Sequence, residues 1–232
     1  MARNNKLWGA ERIRGELLKL GIRHAKTTVQ KYMRAVSGGS PRGQSWRTFI
    51  RNHGDHVWAC DFLQTYDVFF RPIFAFFIIE LGTRRVVHVS VTRSPTSAWT
   101  AQQLRTATPP EASPEFLVRD RDSKFGHDFD TVAAGAGIRV VVTPYKTPNA
   151  NAHCERFLGS VRRECLDHIV IVTERQMLSV LSEYGRYHNC SRPHQGIEQR
   201  VPEPREGPDA SRSRVMEIPM LGGLHHDYRT AA

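Results

Sequence analysis

The chain has 232 residues, 40% of them hydrophobic, which is enough for one α/β domain with a core and a small unit beside it. Its longest apolar run, IFAFFII at residues 73–79, is far shorter than the ~20 residues that a membrane-spanning helix needs. The N-terminus shows no apolar leader segment. We therefore expect no membrane partner and a cytoplasmic or nucleoid-associated protein.

The net charge of +10 is distributed unevenly. Residues 1–52 carry 12 Lys and Arg against 2 Asp and Glu, whereas residues 53–232 carry 21 of each kind. This asymmetry indicates a module that binds a polyanion, attached to a charge-balanced body. The four cysteines form no CxxC pair, so we expect free thiols and no structural zinc site.

The basic N-terminal segment predicts two helices joined by a short turn. Trp8, Ile13, Leu17, Leu18 and Leu20 form an apolar stripe near the helical period, and a second helical pattern follows the glycine at position 21. Residues 1–36 thus resemble a helix-turn-helix, whose second helix enters the major groove of DNA. A basic hairpin that only packs on the body is the alternative. Candidate DNA contacts on the second helix are Lys26, Gln30, Lys31 and Arg34.

The body follows a Gly- and Ser-rich linker, placed at residues 37–52. Residues 53–192 predict three strands in an antiparallel meander, then two helix–strand pairs with parallel strands, and finally two helices. The result is an α/β fold with a mixed five-stranded sheet and flanking helices. Residues 193–232 are rich in Pro, Arg, Glu and Ser, and they predict an extended or disordered tail.

Three carboxylates of the predicted body occupy positions that suggest a functional role for their charge. Asp61 lies inside an apolar strand, Asp120 follows the run Phe-Leu-Val-Arg, and Glu155 opens a helix. Converging at one edge of the sheet, they would bind a hard cation such as Mg²⁺ or Mn²⁺. Each also has a simpler interpretation: a buried acid bonded to a neighbour, an Asx turn, and a favourable charge at a helix N-terminus.

Several stretches of the body resemble the catalytic core of the D-D-E integrases and insertion-sequence transposases. They are WACDFLQT, FLVRDRDSKFG, TPYKTPNANAHCERFLGSVRREC and YHNCSRPHQGI. The resemblance extends from about Trp8 to Pro204 and implies a ribonuclease H-like fold, in agreement with the predicted order of strands and helices.

The resemblance implies that Asp61, Asp120 and Glu155 are the catalytic and metal-binding triad. It implies two Mg²⁺ or Mn²⁺ ions, with Asp61 bridging both, and a reaction that first processes the 3′ ends of a mobile element and then joins them to target DNA. Double-stranded DNA and further copies of the chain are the implied partners. The expected DNA contacts around the glutamate are Lys146, Asn149, Arg156 and Arg162.

Two alternatives stay open at the level of sequence. The chain is an active integrase or transposase, or it is a DNA-binding protein derived from one that no longer catalyses. Many transposases of this type carry a further basic helical segment upstream, so a shortened chain is one interpretation. Asp122 lies two positions beyond Asp120 and, in an extended strand, would point the same way. We nevertheless assign Asp120 to the triad and Asp122 to the turn.

Overall fold

The computed structural model describes residues 10–36, 56–109, 113–143, 151–204 and 215–230. The chain divides into two compact units, Met1–Ser45 and Trp46–Ala232. The predicted linker at 37–52 lies outside the described residues. Within the described ranges, no helix is long and apolar enough to cross a membrane.

The described part of the first unit consists of two helices, α1 (Ala10–Lys19) and α2 (Lys26–Val36). They pack through Ile13 and Val29, which are both buried. Gly21 has a φ of 77°, and this left-handed conformation ends α1 in the way that glycine favours. The predicted apolar stripe is wrong in its C-terminal part, because Leu18 and Leu20 are exposed.

The second unit is built on a five-stranded sheet. Its strands are β1 (Val57–Tyr66), β2 (Pro72–Glu80), β3 (Val86–Thr92), β4 (Phe116–Arg119) and β5 (Arg139–Val142). Its helices are α3 (Ser97–Ala107), α4 (His127–Gly135), α5 (Ala152–Glu164) and α6 (Glu174–Cys190). The spatial order is β3-β2-β1-β4-β5, with β1, β2 and β3 antiparallel and β4 and β5 parallel to β1. The predicted mixed sheet is confirmed.

Alternation along the strands divides the core into two layers, one on each face of the sheet. On β1, Trp58 and Cys60 pack with α3 and α4, whereas Ala59 and Leu63 pack with α5 and α6. Asp61 lies between Ala59 and Leu63 in this alternation, so its side chain is on the same face as theirs. The sequence pattern of β1 therefore directs this carboxylate to the face that carries α5.

The C-terminal segment corrects the prediction of an extended or disordered tail at 193–232. Strands β6 (Val215–Met220) and β7 (His225–Thr230) pair as an antiparallel hairpin. Leu221, in the turn of this hairpin, is buried in the core, and its backbone N–H donates to Glu183 Oε1 of α6 at 2.7 Å. His225 stacks on Tyr187 with ring centroids 4.8 Å apart. These contacts with α6 stabilise strands whose composition alone resembles a linker.

The segment after α6 fastens the helices to the sheet. The Asn189 side chain accepts a hydrogen bond from Val86 N and donates one to Val86 O, which ties α6 to the start of β3. Arg192 makes a two-pronged ion pair with Glu164 at the end of α5, at 2.6 and 2.9 Å. The motif YHNCSRPHQGI therefore contributes to the architecture that holds α5 in place.

Candidate active site

Asp61 is a half-buried carboxylate in the middle of β1. Its Oδ1 accepts the backbone N–H of Phe62 at 2.7 Å, and its Oδ2 accepts Nδ2 of Asn151 at 3.3 Å. Burial, with a smaller effect from the charges of Asp120 and Glu155, raises the pKa of Asp61 to about 7, although the hydrogen bond from Phe62 opposes this shift. Asp61 thus carries a negative charge at an electrostatic cost near neutral pH.

Asp120 directly follows β4, the strand that pairs with β1 in parallel. Its Oδ1 accepts the backbone N–H of Asp122 at 3.0 Å, so the Asx turn considered from the sequence is present. That bond engages one carboxylate oxygen and leaves Oδ2 as a second acceptor. Because Val118 packs on the same face as Ala59, its register partner on β1, the parity of β4 directs Asp120 to the face of Asp61.

Asp122 has a different environment from Asp120. Its Oδ1 accepts the backbone N–H of Lys124 at 3.0 Å, and its Oδ2 pairs with the Lys124 ammonium. Burial raises the pKa of Asp122, but the hydrogen bonds from Lys124 outweigh burial and the net shift is downward. The carboxylate of Asp122 is therefore already paired within the turn.

Glu155 lies exposed in the first turn of α5, whose N-cap residue is Asn151. An N-cap asparagine ordinarily accepts a backbone N–H of its own helix. Here the Asn151 side chain makes no capping bond and instead donates to Asp61, while its buried Oδ1 has no partner among the described residues. The start of α5 is thus joined to the carboxylate on β1.

Asp120 and Glu155, the other two predicted triad members, lie close enough to Asp61 to affect its pKa. The charges of Asp120, Glu155 and Asp122 all act on Asp61. Among the described residues, however, no three His, Cys, Asp or Glu side chains come close enough together to form a ready-made metal site. The carboxylates are neighbours rather than an assembled cage, as expected for like charges that repel one another.

The predicted DNA contacts fall into three groups. On α2, Lys26 and Lys31 are exposed and Gln30 is half-buried. The structure does not describe the side chain of Arg34, nor Lys146 and Asn149. Arg162 is exposed and donates to Gln64 O of β1 at 3.0 Å. Arg156 is exposed and lines a cleft with Arg84 and His153. Burial and, to a smaller extent, the charges of both arginines lower the pKa of His153 to about 4.

Two residues of the site were missed from the sequence. Asn151 lies directly before a helix, where an asparagine is a signal for a side chain with a specific partner. Arg84 lies in the turn between β2 and β3. It adopts a φ of 70°, and its Nη1 is buried without a hydrogen-bond partner in the described structure. No sequence pattern predicts that conformation for an arginine.

Part of this fold matches a known protein family. Residues 136–202 match the model of the integrase core domain. This span contains β5, α5 with Glu155, α6 and the YHNCSRPHQGI segment. The resemblance to an integrase core is therefore confirmed over this span, which does not include the predicted helix-turn-helix.

Individual relatives come from mobile elements. An uncharacterized 39.2 kDa protein of insertion element IS476 from Xanthomonas euvesicatoria is 24% identical over 66% of this chain, and an uncharacterized 31.7 kDa protein of insertion element IS407 from Burkholderia multivorans is 23% identical over 64%. The matches cover 45% and 54% of those relatives, so the chain spans about half their length.

Solved structures support the fold. The integrase catalytic core domain of HTLV-2, in complex with magnesium, has a TM-score of 0.51 at 13% identity, over 64% of this chain and 93% of that one. A chain of the simian T-cell lymphotropic virus intasome, in complex with PP2A regulatory subunit B56 gamma, has a TM-score of 0.52 at 14% identity, over 94% of this chain and 83% of that one. At these identities the likeness shows the fold alone, the predicted ribonuclease H-like mixed sheet with flanking helices.

Proposed function

We propose that this chain is a DNA integrase or transposase, which processes the 3′ ends of a mobile element and transfers them to target DNA. The observation that carries the proposal is the environment of Asp61. A half-buried carboxylate with a pKa raised to about 7 lies among the charges of Asp120 and Glu155. Proteins keep so costly an arrangement mainly where the charges act together on a ligand.

The donor set fits a hard divalent cation. Asp61, Asp120 and Glu155 offer only carboxylate oxygens, which Mg²⁺ and Mn²⁺ prefer, and sulfur ligands are not needed. The buried Oδ1 of Asn151, without a partner in the described structure, adds an oxygen whose hydrogen bonding is unsatisfied. We assign the three carboxylates as the ligands of two such ions. When bound, the ions would supply the clamp on the attacking and leaving oxygens of a phosphodiester.

The residues of the chain then have separable tasks. Asp61, central among the carboxylates, holds its position through Phe62 N–H and Asn151 Nδ2. Asp120 is oriented by the Asx bond to the next turn. Glu155 is carried by α5, which Arg192 anchors through Glu164. Because positioning and electrostatics supply most of the rate in phosphoryl transfer, these supports matter as much as the ligands themselves.

Double-stranded DNA is the proposed substrate, and assembly of several copies on DNA is the proposed working state, since two element ends must be joined in one event. The basic first unit supports DNA binding: Lys26 and Lys31 are exposed on α2. We assign α2 as the groove-binding helix of a helix-turn-helix, with Gln30 and Arg34 on the same helix. Lys146, Asn149, Arg156 and Arg162 are the proposed contacts near the acidic edge.

The test is a DNA-joining assay on linear duplexes that carry the terminal repeats flanking the gene. With Mg²⁺ or Mn²⁺, we expect a shortened 3′ end and then a joined product. Asp61→Asn and Glu155→Gln are expected to abolish both products while leaving DNA binding intact. If either variant joins DNA as well as the wild type does, the triad assignment is wrong.

The same assay addresses the alternative of a DNA-binding protein without catalysis. That alternative predicts duplex binding with no processing of any end sequence, with either metal ion. The separate measurement of binding and joining therefore distinguishes a wrong catalytic proposal from a wrong choice of substrate.

A further inference from the structure

A second candidate site, beside α5, is lined by basic rather than acidic side chains. A cleft of about 250 Å³ is bounded by the turn after β2, the first turns of α5 and the segment after α6. We call it the arginine cleft and define it by Arg84, His153, Arg156, Arg192, His194 and Gln195.

Two of the arginines in this cleft have no acidic partner within the part of the chain that the structure describes. Arg192 is neutralised by its two-pronged pair with Glu164. In contrast, neither Arg84 nor Arg156 forms an ion pair with any residue that the structure describes, and Nη1 of Arg84 is buried without a hydrogen-bond partner. Burial lowers the pKa of Arg84, and the charge of Arg156 lowers it further. The two guanidinium groups therefore repel each other across the cleft.

Such an arrangement is costly without a ligand. A guanidinium cannot lose its proton near neutral pH, so its buried N–H groups can be satisfied only by an acceptor. The backbone adds to the cost, since Arg84 is held at a φ of 70° in a tight turn. An anion placed between Arg84 and Arg156 would remove both the repulsion and the unsatisfied donor.

We propose that the arginine cleft binds a phosphate group, and that in the working complex this group is a phosphodiester of the bound DNA strand. The planar N–H fork of arginine matches phosphate oxygens in pairs. Arg156 immediately follows Glu155 on α5, so a strand held here would continue toward the carboxylates. The phosphate specificity rests on the cleft alone, whereas the assignment to DNA rests on the proposed function.

The DNA source is tested with the full chain and a labelled duplex, in the absence of divalent ions. Anisotropy titrations over a salt series are compared for wild type, Arg84→Gln, Arg156→Gln and the control Arg175→Gln. Arg175 is exposed near the start of α6, about 20 Å along the helix from His188 at the cleft. Each cleft variant should reduce the slope of log K against log salt by about 1, and the control should match the wild type.

A second measurement tests the cleft without DNA. Thermal unfolding is followed in inorganic phosphate and in chloride at equal ionic strength. Phosphate should raise the midpoint of the wild type and of Arg175→Gln, and the gain should be lost in Arg84→Gln and in Arg156→Gln. Arg156 is exposed, so its substitution keeps the test valid even if Arg84→Gln folds poorly.

The outcomes separate the two proposals. Equal phosphate stabilisation in all four proteins overturns the cleft, as do unchanged salt slopes in both cleft variants when DNA is bound. If phosphate stabilises the wild type through the cleft but the chain binds no duplex, the cleft stands as a site for phosphate and the assignment to DNA fails together with the proposed function.

Discussion

Replacing Asp61 by asparagine should stabilise the metal-free protein at neutral pH. The folded state raises the pKa of Asp61 from 3.8 to about 7, chiefly through burial and also through the charges of Asp120 and Glu155. Asparagine keeps the shape and an oxygen acceptor for Phe62 N–H, but it removes the charge that these surroundings disfavour. A residue that served only the fold would be expected to lose stability on this substitution.

The sign and size follow from proton linkage. Between pH 3.8 and about 7, the unfolded chain holds fewer protons at this carboxyl than the folded chain does, so the free energy of unfolding falls as pH rises through this window. At about 1.4 kcal/mol per pH unit, the upper limit is ~4 kcal/mol. Because Asp61 is half-buried and accepts two hydrogen bonds, we expect ~2 kcal/mol, or ~4–8 °C in the unfolding midpoint.

The assay is thermal unfolding in a chelating buffer at about pH 5 and about pH 8, followed by circular dichroism. The stabilisation by Asp61→Asn should be small at the lower pH and largest at the higher pH. Asp122→Asn is the matched control and should act in the opposite direction, because Lys124 stabilises the charged form of Asp122. Millimolar Mg²⁺ should then stabilise the wild type and leave Asp61→Asn unchanged.

The reasoning is refuted if Asp61→Asn destabilises the protein equally at both pH values. That result would mean that the carboxylate is held by favourable contacts, as in an ordinary buried acid paired with a neighbour. If Mg²⁺ raises the unfolding midpoint of Asp61→Asn as much as that of the wild type, this carboxylate is not a ligand of the ion.

Three further outcomes are expected. Asp120→Asn should abolish DNA joining while Asp122→Asn retains most of it in the same gel assay; the reverse result would place the catalytic position two residues later. Asn151→Ala should weaken Mg²⁺ affinity by roughly 10-fold, measured by titration calorimetry, because the central carboxylate loses its orienting donor. Burial lowers the pKa of His188 from 6.5 to about 3, so the free energy of unfolding should fall as the pH drops below 6.5. In His188→Phe the unfolding midpoint should decrease less on acidification than in the wild type, and an equal decrease in both proteins would contradict this prediction.

The order and pairing of the strands could be predicted because local patterns determine them. Short apolar runs with brief connections indicate an antiparallel meander, and helices between later runs indicate parallel pairing. The elements that carry Asp61, Asp120 and Glu155 were therefore predicted correctly. The hairpin β6–β7 was not, because its stability comes from Leu221 entering the core and from contacts with α6, which composition does not reveal.

The side-chain detail of the site was beyond sequence reasoning for a related reason. Asp120 and Asp122 both make Asx bonds, so local geometry does not distinguish them. They differ in their long-range surroundings: Asp120 adjoins β1 and Asp61, while Asp122 is paired with Lys124. In the same way, the partner of Asn151 and the unsatisfied guanidinium of Arg84 arise where distant segments meet.

The central proposal is that Asp61, Asp120 and Glu155 bind divalent ions that support the joining of DNA. The most direct measurement is strand joining of end-bearing duplexes in Mg²⁺ by wild type, Glu155→Gln and the control Glu174→Gln, which changes an acid in the first turn of α6. We expect joined product from the wild type and the control, and none from Glu155→Gln although it still binds DNA. Joining by Glu155→Gln at the wild-type level would contradict the account.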